Sequence, residues 1–359
     1  MKRIRVLVAE DSLTVRRHIV ETLAADPLLE VVGEAEDGKR AIELCQELRP
    51  DVLTLDMILP VLSGLAAAEF IMAYCPTPIL IVSASVNRGQ LFKTYDALAA
   101  GALDVIEKAR GDEPAGEWER ALIARVKLVS RIKVITHMRA RLHRAPSAAV
   151  PTTDFAAPAL VPDTDLALVA IGASTGGPQA CLRILRDLPP DFPLPILLVV
   201  HIGAAFGSAL AEWLDGESRI RVACAAEGEP LPLVGQARVL MAPPDRHLVL
   251  RNGRLRLTQD AERLSCRPSV DVLFESVARE MPGRAIACLL TGMGRDGADG
   301  LLAVRQSGGR TLAQDRATSV VFGMPQEAIR IRAAERVLPL DEIGPVLIHM
   351  AGGAGRWKQ

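Results

Sequence analysis

Two groups of side chains in this 359-residue sequence have the types and spacing to do covalent chemistry. The first is nucleophilic. The apolar run Leu166 to Ile171 leads into Gly172-Ala173-Ser174-Thr175-Gly176-Gly177-Pro178, and Gln179 to Leu188 has helical character. A strand, a tight turn of small residues and a helix together present a serine hydroxyl beside amides at a helix start, so Gly172-x-Ser174-x-Gly176 fits a nucleophile elbow. The same pattern also fits a glycine-rich phosphate loop, although without the full spacing of one, or a serine that only caps a helix. His201 directly follows Ile196 to Val200, and Asp296 lies in Thr291-Gly292-Met293-Gly294-Arg295-Asp296-Gly297 directly after Ala285 to Leu290. Strand ends of this kind open on one crevice, where His201 can take the Ser174 proton and Asp296 can hold the imidazole tautomer. The glycines around Asp296 would let amides approach a developing oxyanion. His247 is the competing histidine; His18, His137, His143 and His349 lie on helix-like segments or near a terminus. No histidine and carboxylate cluster in the second half has metal-ligand spacing, so the hydrolytic step is expected to need no metal or other cofactor.

The second group is acidic. Glu10 and Asp11 follow the run Ile4 to Ala9, and Asp56 follows Val52 to Leu55. In a parallel sheet these three carboxylates emerge at one carboxyl edge, where they repel unless a cation joins them. A hard, oxygen-seeking ion such as Mg²⁺ suits the set and would neutralise a phosphoryl group carried by one carboxylate. Ser83 ends Ile79 to Ser83 and Lys108 ends the next run, offering a hydroxyl and a cation to the same phosphoryl group. Singly, Asp11 could instead cap a helix beginning near Leu13, and Lys108 could be an exposed strand end.

These groups need two sheets to carry them. In the first 110 residues, Ile4 to Ala9, Val31 to Glu34, Val52 to Leu55, Ile79 to Ser83 and Val105 to Ile106 alternate with amphipathic segments, which predicts a parallel sheet covered on both faces. A second series contains Leu166 to Ile171, Ile196 to Val200, Arg238 to Met241 and Ala285 to Leu290. It is interrupted at Leu248 to Leu257, where Asn252-Gly253 between alternating runs predicts a β-hairpin. The expected organisation is a first domain over 1–125, a basic helical and then Ala/Pro-rich linker over 126–165, and a second doubly wound α/β domain over 166–350. The basic stretch Arg125 to Arg144 is read as a solvated helix face in the connector. With 49% hydrophobic but only 3% aromatic residues, the apolar mass is aliphatic, which suits buried parallel strands. A net charge of -1 gives no reason to expect nucleic acid as a partner. Six cysteines without ligand spacing, most in apolar surroundings, fit a reducing cytoplasm, and no apolar run approaches the roughly 18 residues of a membrane span, so no membrane insertion is expected.

The first segment, over essentially residues 1 to 110, resembles the response-regulator receiver domain. That resemblance implies a flavodoxin-like (βα)5 fold with Asp56 as phospho-acceptor, Glu10, Asp11 and Asp56 as Mg²⁺ ligands, Ser83 as switch hydroxyl and Lys108 as the phosphate-contacting lysine. Departures are Ala109 where many receivers have proline, Ile58 where many are more polar, and Leu59-Pro60-Val61-Leu62-Ser63-Gly64 for the usual Met-Pro-x-Met-Asp-Gly.

Residues 166 to 348 resemble the catalytic domain of the chemotaxis protein-glutamate methylesterases, the CheB family. The resemblance rests on Ile171 to Pro178, Arg267-Pro268-Ser269-Val270-Asp271-Val272-Leu273-Phe274, Leu290 to Ala298, Ala313-Gln314-Asp315 and Ser319 to Pro325. It implies Ser174 as nucleophile, His201 as general base, Asp296 as its partner, and Thr175 and the Met293 backbone beside the oxyanion. It further implies hydrolysis of glutamyl methyl esters on methyl-accepting chemoreceptors, deamidation of receptor glutamines, and a chemotaxis histidine kinase as phosphodonor, phosphorylation relieving occlusion of the Ser174 crevice. A receiver fused to a non-catalytic, hydrolase-like adaptor is the rival from another class. Val200-His201-Ile202-Gly203 replaces the common Gln-His-Met-Pro, and Arg316 stands where an acidic residue is frequent.

Overall fold

A computed structural model of the chain describes residues 2–84, 88–109, 111, 113–132, 134 and 165–352. The chain divides into two compact units, Met1–Thr152 and Thr153–Gln359.

The first unit alternates strand and helix: β1 (Ile4–Ala9), α1 (Leu13–Ala24), β2 (Leu29–Ala35), α2 (Gly38–Leu48), β3 (Val52–Leu55), α3 (Gly64–Tyr74), β4 (Ile79–Ser83), α4 (Arg88–Ala99), β5 (Asp104–Glu107) and α5 (Glu117–Val129). The strands form one parallel sheet in the order β2-β1-β3-β4-β5. β3 and β4 are buried along their whole length, as strands covered by helices on both faces must be. From β1 the chain first builds outward to β2 and then returns to β3 on the other side. The β1/β3 junction is therefore the switch point at which loops part and leave a crevice. Asp11 does not cap α1; that place belongs to Ser12, whose side chain makes no capping bond. Arg125 and Lys127 are not on a free connector face either. They pair with Asp104 and Asp26, each at 2.6 Å, and α5 packs Leu122, Val126 and Val129 into the core. The remainder of the predicted basic helix and the Ala/Pro-rich linker lie outside the described residues.

The second unit runs β6 (Leu168–Ala173), α6 (Gly177–Asp187), β7 (Ile196–Val200), α7 (Ala204–Glu217), β8 (Arg221–Cys224), β9 (Arg238–Met241), β10 (His247–Arg251), β11 (Arg254–Thr258), α8 (Val270–Glu280), β12 (Ala285–Leu289), α9 (Ala298–Gln306), β13 (Arg310–Gln314), α10 (Met324–Arg330), β14 (Arg336–Leu338) and α11 (Leu340–Ala351). Seven strands make a parallel sheet in the order β14-β13-β12-β6-β7-β9-β8. β6, β7 and β12 at its centre have no exposed residue. Here the switch point is β6/β12, since the chain builds from β6 toward β8 and then returns to β12. β10 and β11 form the expected hairpin, with Asn252 (φ 51°) and Gly253 (φ 67°) both in the left-handed region that a two-residue turn requires. Leu248, Leu250 and Leu255 on its buried face pack with Leu273, Phe274 and Val277 of α8. That contact seats the hairpin on the helix whose first turn reaches the crevice.

Candidate active site

The two sheets deliver the predicted side chains to their switch points. Ser174 is the first residue beyond β6. Its amide donates to Thr291 O (3.0 Å) and its carbonyl accepts from Gly177 N (2.6 Å), which closes the elbow. Gly176 has φ 76°, and a side chain there would meet Val320 Cβ at 2.6 Å. Gly292 passes directly under the serine, where a Cβ would lie 2.7 Å from Ser174 Cβ. At Gly172 a Cβ would run into Val270 Cγ1, so Gly-x-Ser-x-Gly is imposed by backbone conformation at Gly176 and by close approach at Gly172.

His201 follows β7, with its amide on Ala173 O at 2.9 Å, so it stands on the strand next to the serine's. Its Nε2 lies 2.8 Å from Asp296 Oδ2. Asp296 is buried and saturated: Oδ1 accepts from Ser269 Oγ (2.7 Å) and Asp271 N (3.2 Å), and Oδ2 also accepts from Val270 N (2.7 Å). The donors Val270 and Asp271 open α8, so a helix start holds the carboxylate in place. Burial would raise Asp296, but the His201 contact and the Ser269 and Val270 hydrogen bonds outweigh it and hold the carboxyl below its usual range. Burial likewise disfavours a charged His201, yet the bond to Asp296, aided by Cys266, pushes the imidazole up to about 9. Because the carboxylate can only accept, Nε2 carries a proton and Nδ1 is the nitrogen left for chemistry. Ser174 Oγ makes no hydrogen bond to His201 among the described residues, a looseness common in sites without substrate.

Thr175 is buried and Met293 is 60% exposed. Neither of their amides donates to a protein group in the turns and loops of the described residues. The loop that carries Met293 is pinned from below. Thr291 N donates to Gln314 Oε1 (2.8 Å), and Thr291 Oγ1 donates to Thr175 O (2.9 Å) and accepts from Val321 N (2.9 Å).

The competing histidine, His247, is fully buried. Its Nδ1 accepts from Ser269 N (3.1 Å) and its Nε2 faces Ala261 O (3.2 Å), so it braces the residue that braces Asp296. His247, Ser269 and Gln314 escape a search for reactive spacing, since they meet the crevice only through the fold. A cluster also exists where spacing predicted none: His201, Cys266 and Asp296 offer ligand atoms within 4.8 Å of one another.

In the first unit, Lys108 Nζ lies 2.8 Å from both Glu10 Oε1 and Asp56 Oδ2. Ser83 is buried at the end of β4, in register with Glu107 of β5. Burial pushes Glu10 up to about 7 and also raises Asp56, in each case against the pull of Lys108. Burial would lower Lys108, but its bonds to Asp56 and Glu10 raise it. Glu10, Asp11 and Asp56 bring oxygens within 4.8 Å of one another, and Asp56 Oδ1 is buried with no hydrogen-bond partner. An all-carboxylate set with an orphaned oxygen fits a hard divalent cation.

Comparison with known proteins agrees along the whole chain. Residues 169–347 match the CheB methylesterase family model, and residues 6–114 match the response regulator receiver domain. A protein-glutamate methylesterase/protein-glutamine glutaminase of Anaeromyxobacter dehalogenans is 45% identical over 95% of this chain and 95% of its own length. One of Nitrosospira multiformis is 42% identical over 99% of each. The crystal structure of the Thermotoga maritima CheB methylesterase catalytic domain is 38% identical, over 51% of this chain and 97% of that one, with a TM-score of 0.48.

Proposed function

Because the chain belongs to the CheB methylesterase family, with a receiver domain ahead of the catalytic one, we propose that it removes methyl esters from glutamate side chains of methyl-accepting chemoreceptors and deamidates receptor glutamines. Phosphorylation of Asp56 by a chemotaxis histidine kinase controls the activity, in sensory adaptation. The observation that supports this most is the 2.8 Å contact between His201 and a buried, fully satisfied Asp296 at the strand end next to Ser174.

In this reading Ser174 Oγ attacks the ester carbonyl and its proton passes to His201 Nδ1. Asp296 stabilises the imidazolium that forms. The amides of Thr175 and Met293 receive the oxyanion. When the intermediate collapses, His201 returns the proton to the departing methoxide, and methanol leaves. Water then attacks the acyl-enzyme with His201 again as base, restoring Ser174 and leaving a receptor glutamate. A glutamine side chain follows the same course with ammonia as leaving group, so one site serves both reactions.

In the receiver, Glu10, Asp11 and Asp56 would hold Mg²⁺, which when bound supplies charge neutralisation for an incoming phosphoryl group. Asp56 accepts that group, while Lys108 and the Ser83 hydroxyl offer contacts to its oxygens. No helix among the described residues is long and apolar enough to cross a membrane. In this reading the protein acts on its receptors from the cytoplasm.

Mass analysis of receptor peptides after incubation tests the substrate assignment. Wild type should convert methyl-glutamyl peptides to glutamyl peptides and Ser174→Ala should not; equal conversion by both would sink the reading.

A further inference from the structure

Cys266 neither takes a proton nor touches substrate in the chemistry above, yet its Sγ lies 3.8 Å from His201 Nδ1, the nitrogen of the base that faces away from Asp296. The thiol is held there by construction. Arg263 and Cys266 close a tight turn, with Arg263 N on Cys266 O (3.2 Å) and Cys266 N on Arg263 O (2.9 Å). The two residues between them, Leu264 and Ser265, adopt φ of 51° and 60°, a conformation that non-glycine residues rarely take. Arg263 then ties the turn to α8 through Glu275 (2.7 Å) and Asp271 (3.6 Å). Since the start of α8 also holds Asp296, thiol, imidazole and carboxylate are all referred to one helix.

We propose that Cys266 and His201 form a binding site for a thiophilic divalent cation of the zinc class, and that occupancy switches the hydrolase off. Zinc bound to a cysteine sulfur at about 2.3 Å and a histidine nitrogen at about 2.0 Å, with a tetrahedral angle, places the two ligand atoms about 3.5 Å apart. The observed 3.8 Å needs an adjustment of only a few tenths of an ångström. Asp296 on Nε2 supplies what a metal-bound imidazole ordinarily has, a carboxylate behind the ring that fixes the tautomer and turns the Nδ1 lone pair outward. A sulfur and nitrogen pair selects zinc or cobalt over Mg²⁺, whereas the all-oxygen set of the receiver has the opposite preference. Two protein ligands leave open positions for water, so the site is a reversible inhibitory one. On binding, Cys266 and, near neutrality, the imidazolium Nδ1 each release a proton to solvent, and the metal takes the nitrogen lone pair that would accept the Ser174 proton. The inhibition, though not the binding, rests on the role proposed for His201.

The test uses the full chain in excess Mg²⁺, which keeps the receiver carboxylates occupied. Added Co²⁺ should give a thiolate-to-cobalt charge-transfer band at one equivalent, and the band should be absent in Cys266→Ala and in His201→Ala. Oxygen ligands give no such band, so a receiver-bound ion is not mistaken for this site. Zn²⁺ should inhibit methanol release from methylated receptor membranes, reversibly by chelator. The zinc concentration for half-inhibition, measured against each protein's own zinc-free rate, should rise about tenfold or more in Cys266→Ala. No band in wild type, or a band that persists in Cys266→Ala, overturns the site. A Cys266-dependent band without loss of turnover overturns the inhibition and, with it, the role of Nδ1. If no methanol is released under any condition the esterase reading fails, while the cobalt band still decides the metal site.

Discussion

Replacing Asp296 by Asn gives a prediction whose size and pH dependence both follow from the structure. Asp296, aided by Cys266, lifts the His201 imidazole from an ordinary 6.5 to about 9, a stabilisation of the imidazolium on the order of 3 kcal/mol. If Asp296's larger share of that stabilisation is expressed as the Ser174 proton transfers, its loss lowers turnover on the order of 100-fold where His201 is free base in both proteins, above about pH 9. Near neutrality the gap narrows. There only about 1% of wild-type His201 is unprotonated, against a much larger share in the variant, so the electrostatic deficit shrinks and the remainder is lost orientation. Wild-type turnover should therefore climb about tenfold per pH unit from neutrality toward 9, while the variant's profile flattens at a clearly lower pH. The asparagine amide also confronts Ser269, Val270 and Asp271, all donors, and leaves at least one unsatisfied, at a cost of about 1–3 kcal/mol in stability. The assay is methanol release from methylated receptor membranes across pH, with circular dichroism to show that the variant is folded. Parallel pH profiles for the two proteins would refute the reasoning, whatever the absolute rates.

Three further outcomes follow from the same geometry. Ser269→Ala removes both the 2.7 Å donor to Asp296 and the 3.3 Å cap on Val272 N, so the urea transition of the catalytic unit should lose about 1–2 kcal/mol and turnover should fall with it. Gly292→Ala sets a methyl 2.7 Å from Ser174 Cβ; displacing the nucleophile by about an ångström should slow labelling of Ser174 by a serine-directed phosphonate about 100-fold, and unchanged labelling would show that the elbow is not confined as described. For stability against pH, His201 has a folded value of about 9 above its unfolded 6.5, so its contribution is fully present below about 6.5 and is lost as pH rises through about 9. Denaturant midpoints should show wild type losing up to about 3 kcal/mol more than His201→Gln across that window.

The placement of Ser174, His201, Asp296, Glu10, Asp11, Asp56 and Lys108 beyond the carboxyl ends of strands was legible, because each lies in or just after a segment that follows an apolar run and parallel α/β sheets open their crevices there. The hairpin was legible from Asn252-Gly253. β8, β13 and β14 were not. Arg221-Val222-Ala223-Cys224 and Arg336-Val337-Leu338 are short edge strands with exposed positions. Arg310-Thr311-Leu312-Ala313-Gln314 ends in polar residues because Gln314 is used to pin Thr291. His247 and Ser269 carry no local sign of their task, since the bond between them spans 22 residues and serves a carboxylate farther along the chain. Cys266 reads in sequence as one more unpaired thiol, and only the turn at Leu264 and Ser265 brings it to the imidazole.

The central claim is that Asp56 switches a hydrolase whose nucleophile is Ser174. It is tested most directly by methanol release from methyl-labelled receptor membranes, comparing wild type, Ser174→Ala and Asp56→Asn with and without a small phosphodonor and Mg²⁺. The account predicts release that rises with phosphodonor in wild type, stays at its basal level in Asp56→Asn and is absent from Ser174→Ala. Release that survives loss of the Ser174 hydroxyl, or that rises equally with phosphodonor in Asp56→Asn, would contradict it.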